Sequence, residues 1–212
     1  MALTVLTAAG LVWLVRRHPR ATSGVRFGLA GLLLTLTVGT LVRERLAGRP
    51  WGDLAPLHLC DMAIFVGLFA LVTRAPLACE VLYFWACAGT LLAIITPDVL
   101  VGFPHPTFLS YFALHGAVVV AAILVVWGLG RSPRSGAVWR ALLITNAYAA
   151  LVGVVNLVFG TNFLFLCAKP EGRTLLDWFG PWPVYILVAE FVALGLFTLL
   201  ALPFRRRGAQ HS

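Results

Sequence analysis

The stretch FLSYFALHGAVVVAAILVVWGLG, residues 108–130, decides the fold. It contains no proline and no Asp, Glu, Lys or Arg, and its single histidine is His115. At a rise of about 1.5 Å per residue, a helix of this length crosses the ~30 Å hydrocarbon core of a bilayer. A strand of an outer-membrane barrel would instead alternate apolar and polar residues over about ten positions. Working outward, six further apolar runs cover residues 2–15, 25–42, 57–73, 77–96, 138–159 and 183–204. Charge, Pro and Gly mark the breaks, as in RRHPR at 16–20, RERLAGRPWGD at 43–53 and GRSPRSG at 130–136.

Composition agrees with these runs. Of the 212 residues 60% are hydrophobic and only 11% are charged. A soluble domain carries about a quarter charged residues, so disordered, fibrous and ordinary soluble classes are excluded. The expected fold class is all-α. It is a polytopic helical membrane bundle of about seven transmembrane helices, forming a single domain over residues 1–212. The first run is short and has neither a basic leader nor a cleavage site, so it does not read as a signal peptide. Either it crosses thinly or the natural start lies upstream. With no soluble basic module present, no nucleic-acid partner is expected. Membrane lipids are the expected partners, and homo-oligomerisation is left open.

The formal net charge of +8 is therefore read first as topology. Arg16, Arg17, Arg20, Arg26, Arg74, Arg131, Arg134, Arg140, Arg205, Arg206 and Arg207 fall on one side of the spans. Arg43, Arg45, Arg49, Lys169 and Arg173 fall on the other. Short cytoplasmic loops carry the excess of bases. This puts the N-terminus outside and the C-terminus in the cytoplasm, in a multi-pass protein of the plasma membrane. Small residues at Gly24, Gly28 and Gly31 are expected to let helices pack closely.

Ionisable groups inside a membrane are costly and mark function. Sorted by depth, most polar residues gather in the outer half. In PLHLCDMAIF, residues 56–65, His58 and Asp61 share a helix face, and Cys60 sits in the first turn. A helix N-terminus favours a thiolate, the nucleophilic form of cysteine. His115 lies seven residues into its run and needs a polar partner in hydrocarbon. It is a candidate general base for Cys60. The long outer stretch 160–182 carries Asn162, Cys167, Lys169 and Arg173, with Asn156 just below it. The two asparagines are candidate oxyanion donors, and the two bases are candidate headgroup ligands. Thr145, Tyr148, Val152 and Asn156 share one helical face. Glu80 reads as a surface partner of Arg74, and Glu190 as a member of the polar interior. Cys60 is expected to be either a free thiol or disulfide-bonded to Cys167. No metal-type spacing occurs among the Cys and His residues, so no metal site and no cofactor is expected.

At PLHLC (56–60), TPD (96–98), FPH (103–105), HG (115–116), GTNFLFLC (160–167), KP (169–170) and GPWP (180–183), the chain resembles the YwaF-type integral membrane proteins of bacteria. The wider group includes animal transmembrane protein 164, a cysteine-dependent acyltransferase acting on lysophospholipids. The resemblance implies a thiol nucleophile and a lipid substrate. The nucleophile role falls on Cys60, with His58 or His115 as its base and Asp61 orienting an imidazole. Two other readings stand beside a lipid acyltransferase. One is a protein that binds or transports a small solute or ion. The other is a non-catalytic structural subunit of the membrane.

Overall fold

In the computed structural model, the described residues are 1–97, 99, 101–170, 172 and 174–205. Among them there is no strand, and seven helices carry the chain. They are α1 (Ala2–Arg17), α2 (Thr22–Leu46), α3 (Leu59–Thr73), α4 (Pro76–Ile95), α5 (Pro106–Gly128), α6 (Ala137–Phe159) and α7 (Val184–Arg205). Five helical stretches, Pro19–Leu46, α4, α5, α6 and Val184–Phe204, are long and apolar enough to cross a membrane. About seven spans were expected; seven helices are present, but α1 and α3 have only 16 and 15 residues. At about 1.5 Å per residue these two are shorter than the ~30 Å core.

Helix boundaries follow local chemistry. Pro76 and Pro106 stand in the first turns of α4 and α5, where no backbone donor is needed. His105 caps α5, its Nδ1 accepting from Thr107 N at 3.2 Å. Both α4 and α5 contain a π-helical segment, at Trp85–Thr90 and Leu124–Gly128.

The chain divides into two compact units. The first, residues 1–56 and 60–132, holds α1 to α5. Its core is α4 and α5, with Leu82, Phe84, Ala121, Leu124 and Val125 wholly buried beside Leu33 and Leu71. α1 lies along α5 in the same direction. A Cβ on Gly116 would meet Thr4 Oγ1 at 3.2 Å, and one on Gly128 would meet Val15 Cγ2 at 3.0 Å. A Cβ on Gly67 would come within 3.4 Å of Leu82, where α3 meets α4. Gly24, Gly28 and Gly31 do not play the close-packing part expected of them, since nothing lies within 4 Å of a Cβ built at any of the three.

Polar contacts sort the helix ends of this unit. Arg16 Nε donates to Trp127 O at 2.9 Å, joining the C-terminal ends of α1 and α5. Arg26 is buried near the start of α2 and donates to Leu71 O and Val72 O, each at 2.8 Å, at the end of α3. It is therefore a residue of α2 and not of the loop that precedes it. The last carbonyls of a helix lack intrahelical donors, and without water a side chain must supply them. At the opposite ends, Thr107 of α5 donates to Glu44 of α2 at 3.2 Å, and Tyr111 OH donates to Ala93 O of α4 at 2.9 Å. Successive helices of the unit therefore alternate in direction. Glu80 is also corrected: it is 1% exposed, so no surface ion pair accounts for it.

The second unit, residues 57–59 and 133–212, holds α6 and α7. α6 starts and ends on left-handed glycines, Gly136 and Gly160, at φ 75° and 65°. Its Val152 and Asn156 are buried, as the shared polar face predicts. Asn146 Nδ2 of α6 donates to Glu190 Oε2 of α7 at 3.0 Å.

Truncating Arg26 strips both carbonyls of α3 of their charged donors. Arg26→Ala is expected to destabilise the protein by about 2–4 kcal/mol, given the worth of charge-assisted hydrogen bonds. The check is a thermal unfolding scan in detergent, and an unchanged midpoint would contradict this role.

Candidate functional site

In the first unit the expected nucleophile, its base and its acid all lie on the helical scaffold. Cys60 and Asp61 occupy the first turn of α3, both half-buried. Cys60 is a free thiol, and so are Cys79, Cys87 and Cys167. Cys79 is wholly buried, as a small apolar filler should be.

His115 sits in the third turn of α5 and is 9% exposed. Its Nδ1 lies 2.8 Å from Tyr111 O, one helical turn earlier. A carbonyl can only accept, so Nδ1 carries the proton and the neutral ring presents a lone pair at Nε2. The Tyr111 ring stacks on the imidazole, with centroids 4.0 Å apart and planes at 27°. Tyr111 is itself held by its hydroxyl on Ala93 O. Nε2 is buried and has no hydrogen-bond partner among the described residues. Leaving a buried acceptor unsatisfied costs about 1–3 kcal/mol, so the site keeps a basic nitrogen in an unfavourable but available state. No hydrogen bond joins Nε2 to Cys60. The structure holds the two groups in one helical unit without pairing them.

The remaining expected residues belong to the second unit. The imidazole of His58 lies between Phe163 and Phe165, with ring centroids 5.5 and 5.3 Å away. Asn156 folds the chain that leaves α6. Its Oδ1 accepts from Phe163 N at 2.9 Å and Thr161 Oγ1 at 2.8 Å, while Nδ2 donates to Phe163 O at 2.9 Å. Asn162 repeats the device. Its Oδ1 accepts from Cys167 N and Ala168 N at 3.0 and 3.1 Å, and Nδ2 donates to Ala168 O at 2.8 Å. Short amide side chains replace backbone partners in this way in turns. Both asparagines thus have a structural occupation, which their place in the sequence did not reveal. Tyr185 OH donates to Phe165 O, and Trp182 Nε1 donates to Leu166 O at 3.0 Å. Lys169 Nζ stands 5.6 Å above the Tyr185 ring, a cation–π contact. Arg173, like Asp98 and Glu171, lies outside the described residues.

Tyr111 was not singled out from the sequence. Its spacing of four from His115 is the signal that marks it, because residues four apart meet on a helix.

With this geometry in place, the comparisons decide the relationship. The model of the TMEM164 family matches residues 1–201. The chain belongs to the TMEM164 family. A relative in Treponema pallidum (strain Nichols), described as an uncharacterized protein, is 30% identical over 212 residues, covering 96% of this chain and 85% of its own length. No solved structure matches the chain. Family membership and the apolar helices together make this a helical membrane protein surrounded by lipid.

Removing the amide of Asn156 leaves Phe163 N and Phe163 O without partners. Asn156→Ala is expected to loosen residues 160–168 and raise their amide hydrogen exchange at least tenfold, as the loss of one buried hydrogen bond does. Unaltered exchange across this stretch would refute that role.

Proposed function

We propose that the protein is a lipid acyltransferase of the cell membrane, acting on phospholipid or lysophospholipid from the extracytoplasmic side. The observation that carries this reading is the buried, unpartnered Nε2 of His115, with its tautomer set by Tyr111 O. Cys60, a free and half-buried thiol in a first helical turn, supports it. So does the similarity of PLHLC and the later sequence blocks to a group that contains a cysteine-dependent acyltransferase.

In the proposed reaction the Cys60 S–H gives its proton to Nε2, and the sulfur attacks the acyl ester carbonyl. The ester C–O bond breaks, and the departing alkoxide takes the proton back from the imidazolium. An acceptor hydroxyl then displaces the thiolate from the thioester, with the same imidazole passing its proton. Thiol and imidazole must approach one another for this, and such pairs often tighten only with substrate bound. Asp61, next to the nucleophile, is assigned the orienting role. Lys169, on its aromatic platform, is assigned to an anionic headgroup, together with Arg173.

The orientation belongs to the same proposal. All seven helices cross, with the N-terminus outside and the C-terminus in the cytoplasm. The bias of eleven of the sixteen bases to one side supports this. A C-terminal reporter active only in the cytoplasm is expected to be active in intact cells. A signal confined to the outside would reverse the assignment.

The chemistry is tested by acyl exchange between lysophospholipid and phospholipid with purified protein. Cys60→Ala is expected to abolish transfer, and His115→Gln to slow it by about 10²–10⁴-fold, the worth of a general base. Cys79→Ala and Cys167→Ala should retain activity. Full transfer by Cys60→Ala would end the proposal and favour a binding or structural role.

A further inference from the structure

The C-terminal end of α2 carries a second feature that the acyl-transfer reading does not use. Glu44 Oε1 is held by Arg43 at 2.7 Å and by Thr107 Oγ1 at 3.2 Å, and Arg43 also donates to Ser110 Oγ at 3.0 Å. Arg49 reaches only the other oxygen, at 3.5 Å. Arg45 has no carboxylate partner among the described side chains. Glu44 is therefore largely occupied in tying α2 to α5, while Arg45 and Arg49 keep most of their charge.

Both guanidinium groups belong to one tight turn. Gly48, at φ 88°, turns the chain, Arg49 N donates to Glu44 O at 3.2 Å, and Arg45 NH1 donates to Arg49 O at 3.2 Å. The Arg45 guanidinium lies 5.2 Å over the ring of Trp51. Stacking fixes the plane of the fork and leaves its edge donors available. Trp51 and Leu46 are 65% and 82% exposed, in the place where an aromatic anchor meets a membrane interface.

One helix face continues below this turn. Val38, Val42 and Arg45 are four and three residues apart, so they stack along one side of α2. Val38 and Val42 are about half exposed. From Arg45 to Val38 the face descends about 10 Å, enough for the upper part of an acyl chain.

We propose that this end of α2 seats the phosphate of an anionic phospholipid. Arg45 and Arg49 bind the headgroup, Trp51 anchors it at the interface, and an acyl chain runs along Val42 and Val38. Guanidinium forks match phosphate oxygens two at a time. The apolar face beneath them favours a lipid over a free phosphate ion, which would gain nothing from Trp51 or Val42. The site lies within the first unit, uses no residue of the proposed reaction, and stands whether or not the protein transfers acyl groups.

The test is native mass spectrometry of the full chain released from micelles holding equal phosphatidylglycerol and phosphatidylcholine. The wild type is expected to retain phosphatidylglycerol preferentially, and the preference should fall as salt is raised. Arg45→Gln with Arg49→Gln is expected to lower it by about tenfold or more, from the worth of two bases near anionic lipid. Arg17→Gln with Arg20→Gln removes two exposed charges elsewhere and should leave it intact. Equal loss in the two double variants, or a salt-independent preference in the wild type, would overturn the proposal. So would complete displacement of the lipid by millimolar inorganic phosphate, which would mark a free-anion site.

Discussion

A bilayer core contains no water to complete a broken hydrogen bond, and the whole arrangement follows from that constraint. Each polar group placed at depth must find its partner within the chain. Arg26 does so by donating to the final carbonyls of α3, converting a loop-like charge into a bond between two helices. Asn146 and Glu190 do so across α6 and α7. Beyond the end of α6, Asn156 and Asn162 hold the turns of residues 160–168 by bonding to their backbone. The contacts that hold the helices in register are thus mostly side chain to backbone.

Between these polar ties the packing is set by backbone approach. Gly116 and Gly128 lie 12 residues apart on α5 and meet Thr4 and Val15, which are 11 apart on α1. Two such contacts in the same sequence direction make α1 and α5 parallel. Without a hydrophobic driving force between helices in lipid, contacts of this kind supply the van der Waals attraction that side chains would otherwise prevent.

Against this background of satisfied groups, His115 Nε2 stands out. Tyr111 supplies the carbonyl that fixes the proton on Nδ1, the ring that sets the imidazole plane, and a hydroxyl tie to α4. The ring is thereby rigid on three counts and unsatisfied on a fourth. A polar group held so firmly in an unfavourable state is what a proton acceptor requires. The same logic applies at the end of α2. There Glu44 is held chiefly by Arg43 and Thr107, with Arg49 at 3.5 Å from its other oxygen, and it is on the charge of Arg45 and Arg49 that the proposed lipid site rests.

The sequence by itself determined the class and the positions of the helices. Apolar length and the placing of Pro and Gly depend on neighbouring residues alone. The run around His115 reads as a helix, and the structure has one there. Only the tertiary structure decided which polar groups meet. Arg26 and Leu71 are 45 residues apart, and no periodicity announces that a guanidinium will end the next helix. The glycines show the same limit. Gly24, Gly28 and Gly31 have the spacing of a packing face and open onto nothing, while Gly67, Gly116 and Gly128 have no such pattern and carry the close approaches. Spacing places a residue on a face, but whether another helix lies opposite depends on the whole bundle. For the same reason Cys60 and His115 were legible as candidates, whereas the free Nε2 was not. An unsatisfied atom is defined by everything packed around it.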